Sequence, residues 1–291
     1  LKTPPPQKCI PSPPADQPAV IDTKTFTGGS VTYKGISFSY DATLASAIVA
    51  ETRSVSPLQC ADDKPDGVHP QYIAFTFKGD YAAKHDGHLQ KQDSLENEPS
   101  FFSPPEIAIY PVDGYKRAFA ISREMVAWTD KQVRTLGRLS SPNTAPLSVE
   151  IPVLPWMDAT PDFQIRIKRL AFGNGKGILF LTHYKVDAYD LIMNQGLSYL
   201  FQGLTSDSRY YVSGRFPIRA QFLPKDRSVR EVEGFNPEKE DRPGNKTLQK
   251  KYAAYKASVT QKLRTLPADS YDPNPNLFEN LIRSLKIENQ N

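Results

Sequence analysis

Residues 197–218, LSYLFQGLTSDSRYYVSGRFPI, carry two runs of alternating apolar and aromatic residues joined by Thr205, Ser206, Asp207 and Ser208. Side chains along a strand point to opposite faces in turn, so two such runs around a short polar turn predict a β-hairpin. Working back along the chain, residues 163–172 and 177–186 flank GNGKG at 173–177. Glycine and asparagine tolerate the positive φ angles of a tight turn, so this segment predicts a second hairpin. The four runs together predict an antiparallel meander. GNGKG also has a superficial likeness to a phosphate-binding loop. It lacks the Lys-Ser/Thr ending and leads into a strand instead of a helix, which favours the hairpin.

Farther out, VTYKGISFSY at 31–40 sets Tyr33, Ile36, Phe38 and Tyr40 around Lys34 and Gly35 and predicts an early pair of strands. Asp41 is placed to cap a short helical turn over 42–47, and residues 72–77 and 106–110 alternate as further strands. Between 113 and 139, Ile121, Met125, Trp128, Leu136 and Leu139 recur at helical spacing and predict one amphipathic helix packed on the sheet. Leu248, Tyr252, Tyr255, Val259, Leu263 and Leu266 mark another helix, closed by Pro267. Residues 276–287 predict a last one, with Phe278, Leu281, Ile282 and Leu285 on one side. Strands without βαβ alternation, with helices inserted and appended, predict an α+β fold: a mainly antiparallel sheet covered by helices.

GISFSY (35–40), the central strands and the closing LFENLIRSLKI (277–287) resemble the plan of PsbP-like domains. The resemblance implies an α/β/α sandwich in which a terminal helix covers an antiparallel sheet, here with long loop insertions. That family includes extrinsic subunits of photosynthetic complexes and bacterial lipoproteins, so the resemblance implies accessory binding more than chemistry.

Hydrophobic residues make up 39% of the 291, with 14 Tyr and 15 Phe, enough apolar surface for a folded body. Seven of the 26 prolines fall within residues 1–20, a composition that favours an extended, semi-rigid spacer. The expected organisation is a Pro-rich tether over 1–28 followed by a single α+β domain over 29–291. The 36 basic residues are interleaved with 32 acidic ones, so the formal charge of +4 carries no clustered basic face and no nucleic-acid footprint. No run approaches the ~18 consecutive apolar residues of a spanning helix. The chain starts at Leu1 without a methionine, which is read either as a removed leader or as a sequence that begins late; any membrane anchor is expected upstream.

Cys9 and Cys60 belong to no Cys-x-x-Cys pair, which disfavours zinc and thioredoxin-type chemistry. A disulfide between them is the preferred reading, with two unpaired thiols as the alternative. Closing a loop of about 50 residues would stabilise by up to about 4 kcal/mol in the chain-entropy model. Lipid modification of Cys9 lacks the small residues such a processing site needs. The expected compartment is extracytoplasmic: periplasm, cell surface or outside the cell.

Motifs for chemistry are weak. His85 and His88, with Asp80, Asp86 and Asp93 nearby, offer ligand types for zinc or copper, but a metal site needs three or four ligands on rigid elements. There is no Gly-x-Ser-x-Gly elbow, and His69 and His183 have no nucleophile partner legible in the sequence. Asp187 and Asp190 beside Tyr189 give glycosidase chemistry no anchor. Asn245 and Thr247 fit a glycosylation acceptor by pattern alone. No catalytic residue and no cofactor is assigned.

Three long connections, 78–105, 140–162 and 219–247, exceed ordinary loop length and are read as functional. Phe101 and Phe102 on the first and Trp156 on the second are the expected anchors for a protein partner. The expected function is a non-enzymatic accessory or structural subunit docking onto a larger, membrane-associated assembly, or a homo-assembly. The alternative is a small-molecule or glycan binding module, or a hydrolase, with a site between sheet and loops that uses Tyr210, Tyr211 and His183.

Overall fold

The computed structural model describes residues 20–60, 63, 65, 67–85, 104–141, 150–156, 160–185, 189–225, 228–237 and 246–288. The first half of the chain supplies β1 (Val20–Phe26), β2 (Ser30–Tyr33), β3 (Ile36–Ser39), β4 (Ala47–Arg53), β5 (Tyr72–Lys78), α1 (Asp80–His85) and β6 (Glu106–Pro111). Two helices follow, α2 (Val112–Ala118) and α3 (Arg123–Leu139). The second half adds β7 (Thr160–Phe172), β8 (Gly175–Lys185), β9 (Leu197–Thr205), β10 (Tyr210–Pro217) and β11 (Arg219–Ala220). It ends with α4 (Lys246–Thr265), β12 (Tyr271–Asp272), α5 (Asn276–Ser284) and β13 (Lys286–Ile287).

Eight strands form one antiparallel sheet in the order β1-β4-β5-β6-β10-β9-β8-β7. The β7–β10 meander expected from the sequence is half of it. The other half joins at the β6–β10 pair, where Tyr110 stands opposite Tyr211 and Glu106 opposite Arg215. The fold is mixed α+β with layers on both faces of this sheet. Every residue of β9 is buried, because its alternation divides two cores instead of core and solvent. Tyr199 and Phe201 enter one core with α4 and α5, and Leu200 and Leu204 enter the other with α2 and α3.

The first core is built on aromatic contacts. Phe278 of α5 stacks on Phe216 of β10 with ring centres 4.6 Å apart. A small sheet, β13-β3-β2, closes over the same face and ties the last strand to the first hairpin, with Ile287 opposite Ile36. The tight turn of that hairpin has Lys34 at φ 45 and Gly35 at φ 70, both residues in the left-handed region that a two-residue hairpin loop requires.

Several expectations change. β1 pairs along β4 from Val20 onward, so a strand of the sheet lies inside the stretch assigned to the tether. The single helix expected over 113–139 is two: Phe119 closes α2, and the Ser122 hydroxyl accepts from the Met125 N–H to start α3, a break at an N-capping serine. Asp41 accepts from Thr43 N and Oγ1, but the segment stays a turn, because β4 already begins at Ala47. The last helix stops at Ser284, whose hydroxyl is hydrogen-bonded to both Ser39 N and Ser39 O, and the chain continues as β13.

GNGKG is a hairpin turn, for a different reason than expected. None of its residues has positive φ. A Cβ on Gly175 would lie 2.2 Å from the Phe172 ring, and one on Gly177 would lie 2.5 Å from both Gln202 O and the Phe201 ring. These glycines clear space for rings lying across the strands. β7 is bulged between Pro161 and Gln164 and again between Ile165 and Lys168, the second bulge holding Arg166 at φ 51. Its guanidinium donates to the Leu266 carbonyl at 2.5 Å and reaches those of Leu263 and Arg264 at 3.4 Å, satisfying the open end of α4.

Candidate functional site

Residues 150–156 cross the sheet face that carries α3 as a strap, held by side-chain amides that stand in for a strand partner. Ile151 N donates to Gln164 Oε1 at 2.7 Å, and Gln164 Nε2 donates back to Ile151 O at 3.1 Å. Leu154 N donates to Gln202 Oε1 at 3.1 Å and Tyr211 Oη at 3.0 Å. Gln202 is buried, and its Nε2 donates to Ser213 Oγ. A buried amide costs free energy unless paired, so these contacts fix the strap, including its cis Leu154–Pro155 bond.

Trp156 ends the strap. Facing it, α3 presents Trp128, Lys131, Gln132, Thr135 and Arg138, residues whose three- and four-step spacing puts them along one side of a helix. Between the two walls lies a recess of about 450 Å³, which Glu150, Val153, Pro161 and Tyr184 also line. The chain has two tryptophans, and both open into it. Among the described residues, neither indole N–H, nor the polar ends of Lys131, Gln132 and Thr135, has a hydrogen-bond or ion-pair partner. The Glu150 carboxylate has none either, although its charge reaches the Tyr184 phenol. Burial pushes that phenol well above the ordinary tyrosine range; Glu150 adds to the effect and Arg215 opposes it.

Deeper on the same face lies a charged cluster. Arg53 bridges Glu106 at 2.9 Å and Glu51 at 3.1 Å and donates to the Tyr72 hydroxyl at 2.9 Å. Burial pulls against its charge, but Glu106 and Tyr72 hold it above the ordinary arginine range. Arg215 fares differently: its Nε is buried with no partner. Burial lowers its pKa against the pull of Glu106.

On the opposite face, His183 Nδ1 lies 2.8 Å from Asp162 Oδ2, and Asp162 Oδ1 accepts from the Tyr252 hydroxyl at 3.0 Å. The outline is that of a relay, but the imidazole has no free edge. Its Nε2 accepts from Met193 N at 3.4 Å, which puts the ring proton on Nδ1 and leaves nothing for a base to activate. Burial, reinforced by Asp162, drives the Tyr252 phenol far above its ordinary range. The set fastens α4 to the edge of the sheet.

The sequence candidates are therefore dispersed. Trp156 lies in the recess; Phe101 and Phe102 lie outside the described residues. Tyr211 holds the strap, Tyr210 lines a separate recess of about 360 Å³ beside Lys34 and Arg117, and His183 is sealed on the other face. The three residues of the expected alternative site do not meet. His85 ends α1, while His88 lies outside the described residues, among which no group of His, Cys, Asp and Glu could hold a metal ion. Asp187 and Asn245 also lie outside them. The disulfide expected between Cys9 and Cys60 has one end, Cys9, outside the described residues. No described helix is long and apolar enough to cross a membrane.

Sequence reasoning missed the α3 wall. It took Trp128 for a core position, and Trp128 does pack partly on the core. The available signal was the unbroken row of Lys131, Gln132, Thr135 and Arg138 on the same side. No family model, curated protein or solved structure matches the chain.

Proposed function

We propose that this protein is a non-enzymatic recognition module, an extracytoplasmic accessory domain that engages a larger, membrane-associated assembly through the recess between α3 and the strap. The observation that carries this reading is the convergence of both tryptophans and Tyr184 on one opening, beside Lys131, Gln132, Thr135 and Glu150, which have no hydrogen-bond or ion-pair partner among the described residues. Stiff aromatic rings lose little entropy on burial, and a few fixed polar groups set orientation, which is how binding sites are commonly built. Catalysis has less support, because the buried imidazole spends both nitrogens inside the fold. The PsbP-like plan belongs to the same proposal, supported by helices on both faces of an antiparallel sheet and by α5 over one of them. A disulfide between Cys9 and Cys60 belongs to the same proposal and fits an oxidising compartment.

Gentle extraction of the native protein from its source membranes, followed by sizing, tests the reading. The wild type should travel with a large complex, and a folded Trp156→Ala variant should run as a free monomer. Equal migration of both, or a wild type that already runs free, overturns it.

A further inference from the structure

We infer that the recess between α3 and the strap is a saccharide site that takes a short oligosaccharide. The inference rests on the recognition reading and adds the chemical class of the ligand. Charge comes first. Lys131 lines the recess together with the carboxylate of Glu150, and Arg138, which also lines it, already has a partner. An anionic ligand meets Glu150 and a cationic one meets Lys131, so these two opposite charges favour a ligand that is neutral overall. A purely apolar ligand fails on different grounds. It would desolvate Lys131, Gln132, Thr135, Glu150 and the two indole N–H groups, none of which has a hydrogen-bond or ion-pair partner among the described residues, and each buried polar group left unpaired costs free energy.

A pyranose meets both demands at once. Its C–H face is apolar and flat enough to lie on an indole or phenol ring, and its rim of hydroxyls both donates and accepts. The lining supplies the matching set: donors from Lys131 and the indoles, an acceptor from Glu150, and both functions from Gln132 and Thr135. Trp128 comes from one wall and Trp156 from the other, with Tyr184 of β8 beside them. A volume of about 450 Å³ falls within the span of small-ligand sites. The strap is already fixed by Gln164, Gln202 and Tyr211, so little ordering cost falls on binding.

Titration of the full chain with cellotriose, chitotriose and maltotriose, followed by calorimetry and intrinsic tryptophan fluorescence, tests the inference. Because both tryptophans line the recess, the emission reports on that place alone. The expected result is a saturable change with at least one trisaccharide. Trp156→Ala should weaken binding at least tenfold, and Glu150→Gln and Lys131→Met several-fold with the melting temperature unchanged. Gln132→Ala, on a half-exposed helix position, serves where Trp156→Ala does not fold. No saturable response to any of the three at millimolar concentration overturns the inference, as does calorimetric binding that survives in both Trp156→Ala and Gln132→Ala. Absent sugar binding with co-migration intact removes the saccharide class and leaves recognition standing. Sugar binding by a protein that runs free supports the site and removes the accessory role.

Discussion

On the sheet face under α4 and α5, His183, Asp162 and Tyr252 close into a chain of hydrogen bonds, and Ile192 N donates to the Tyr255 hydroxyl at 2.7 Å. On the face under α2 and α3, Arg215 Nε and Tyr115 Oη are buried without partners, and a row of polar side chains opens into a recess. Thr260 Oγ1 on α4 is an exception on the satisfied side. Folded proteins pair nearly all their buried polar atoms, so each exception asks for a reason. The difference separates two uses of polarity. Under α4 and α5, polar groups fix the position of elements that packing already holds; under α2 and α3, some do the same for the strap, while others are left unpaired among the described residues, and local violations of the folding rules tend to collect at functional sites.

The largest effect expected from the comparison is with pH. Burial raises the pKa of Tyr110, Tyr115 and Tyr211 on one face and of Tyr81, Tyr252 and Tyr255 on the other, and it raises Tyr271 to about 12. The unfolded chain releases these protons near pH 10 while the folded chain keeps them. The stabilisation is complete below that value and is lost as pH rises through the folded values. Both faces share one sheet, so tyrosine ionisation and loss of circular dichroism should coincide in a single alkaline transition. Two separated transitions would show that the faces come apart independently, and the comparison would then describe two units instead of two sides of one.

A smaller effect tests the satisfied face alone. Asp162 receives His183 Nδ1–H and the Tyr252 hydroxyl. Asparagine offers one acceptor oxygen, so Asp162→Asn turns an amide NH₂ toward one of two buried donors. The expected cost is about 2–3 kcal/mol in chemical denaturation, with tryptophan emission from the recess unchanged. A loss below about 0.5 kcal/mol, the scale of ordinary surface changes, would mean that this network contributes little and that packing alone seats α4.

Much of the architecture was legible because it is local. The alternation in 197–218, the row from Leu248 to Leu263 and the apolar side of α5 each predict an element that the structure contains. Elements that depend on distant partners were not legible. β1 is a strand because β4 is there to pair with it, and residues 20–26 show no strong alternation. The glycines of 173–177 answer to Phe172 and Phe201 rings crossing them, which no turn rule encodes. The recess was half legible. Trp156 stood out as an aromatic on a proline-rich connection, but its opposite wall depends on α3 lying across from the strap, and that follows from Gln164, Gln202 and Tyr211 catching the strap's backbone.

The finest test concerns Arg215. Its Nε is buried without a partner, and Glu106, opposite it in register, is already bound by Arg53 at 2.9 Å. Taking a guanidinium out of water is costly when the surroundings return few hydrogen bonds, and a flexible apolar side chain of similar length fills the same space without that cost. Arg215→Met should therefore leave stability unchanged or raise it by up to about 1 kcal/mol, opposite in sign to Asp162→Asn and measurable in the same denaturation series. Destabilisation beyond about 1.5 kcal/mol would mean that the guanidinium is well accommodated, and the two faces would then differ in ligand access and not in satisfaction. A gain would mean that the chain keeps a charge its fold does not need, in the layer beneath the recess and close enough to oppose the shift of the Tyr184 phenol. Stability given up at one position would be consistent with a trade against function at the recess, which sugar titration of Arg215→Met would then read as weakened binding.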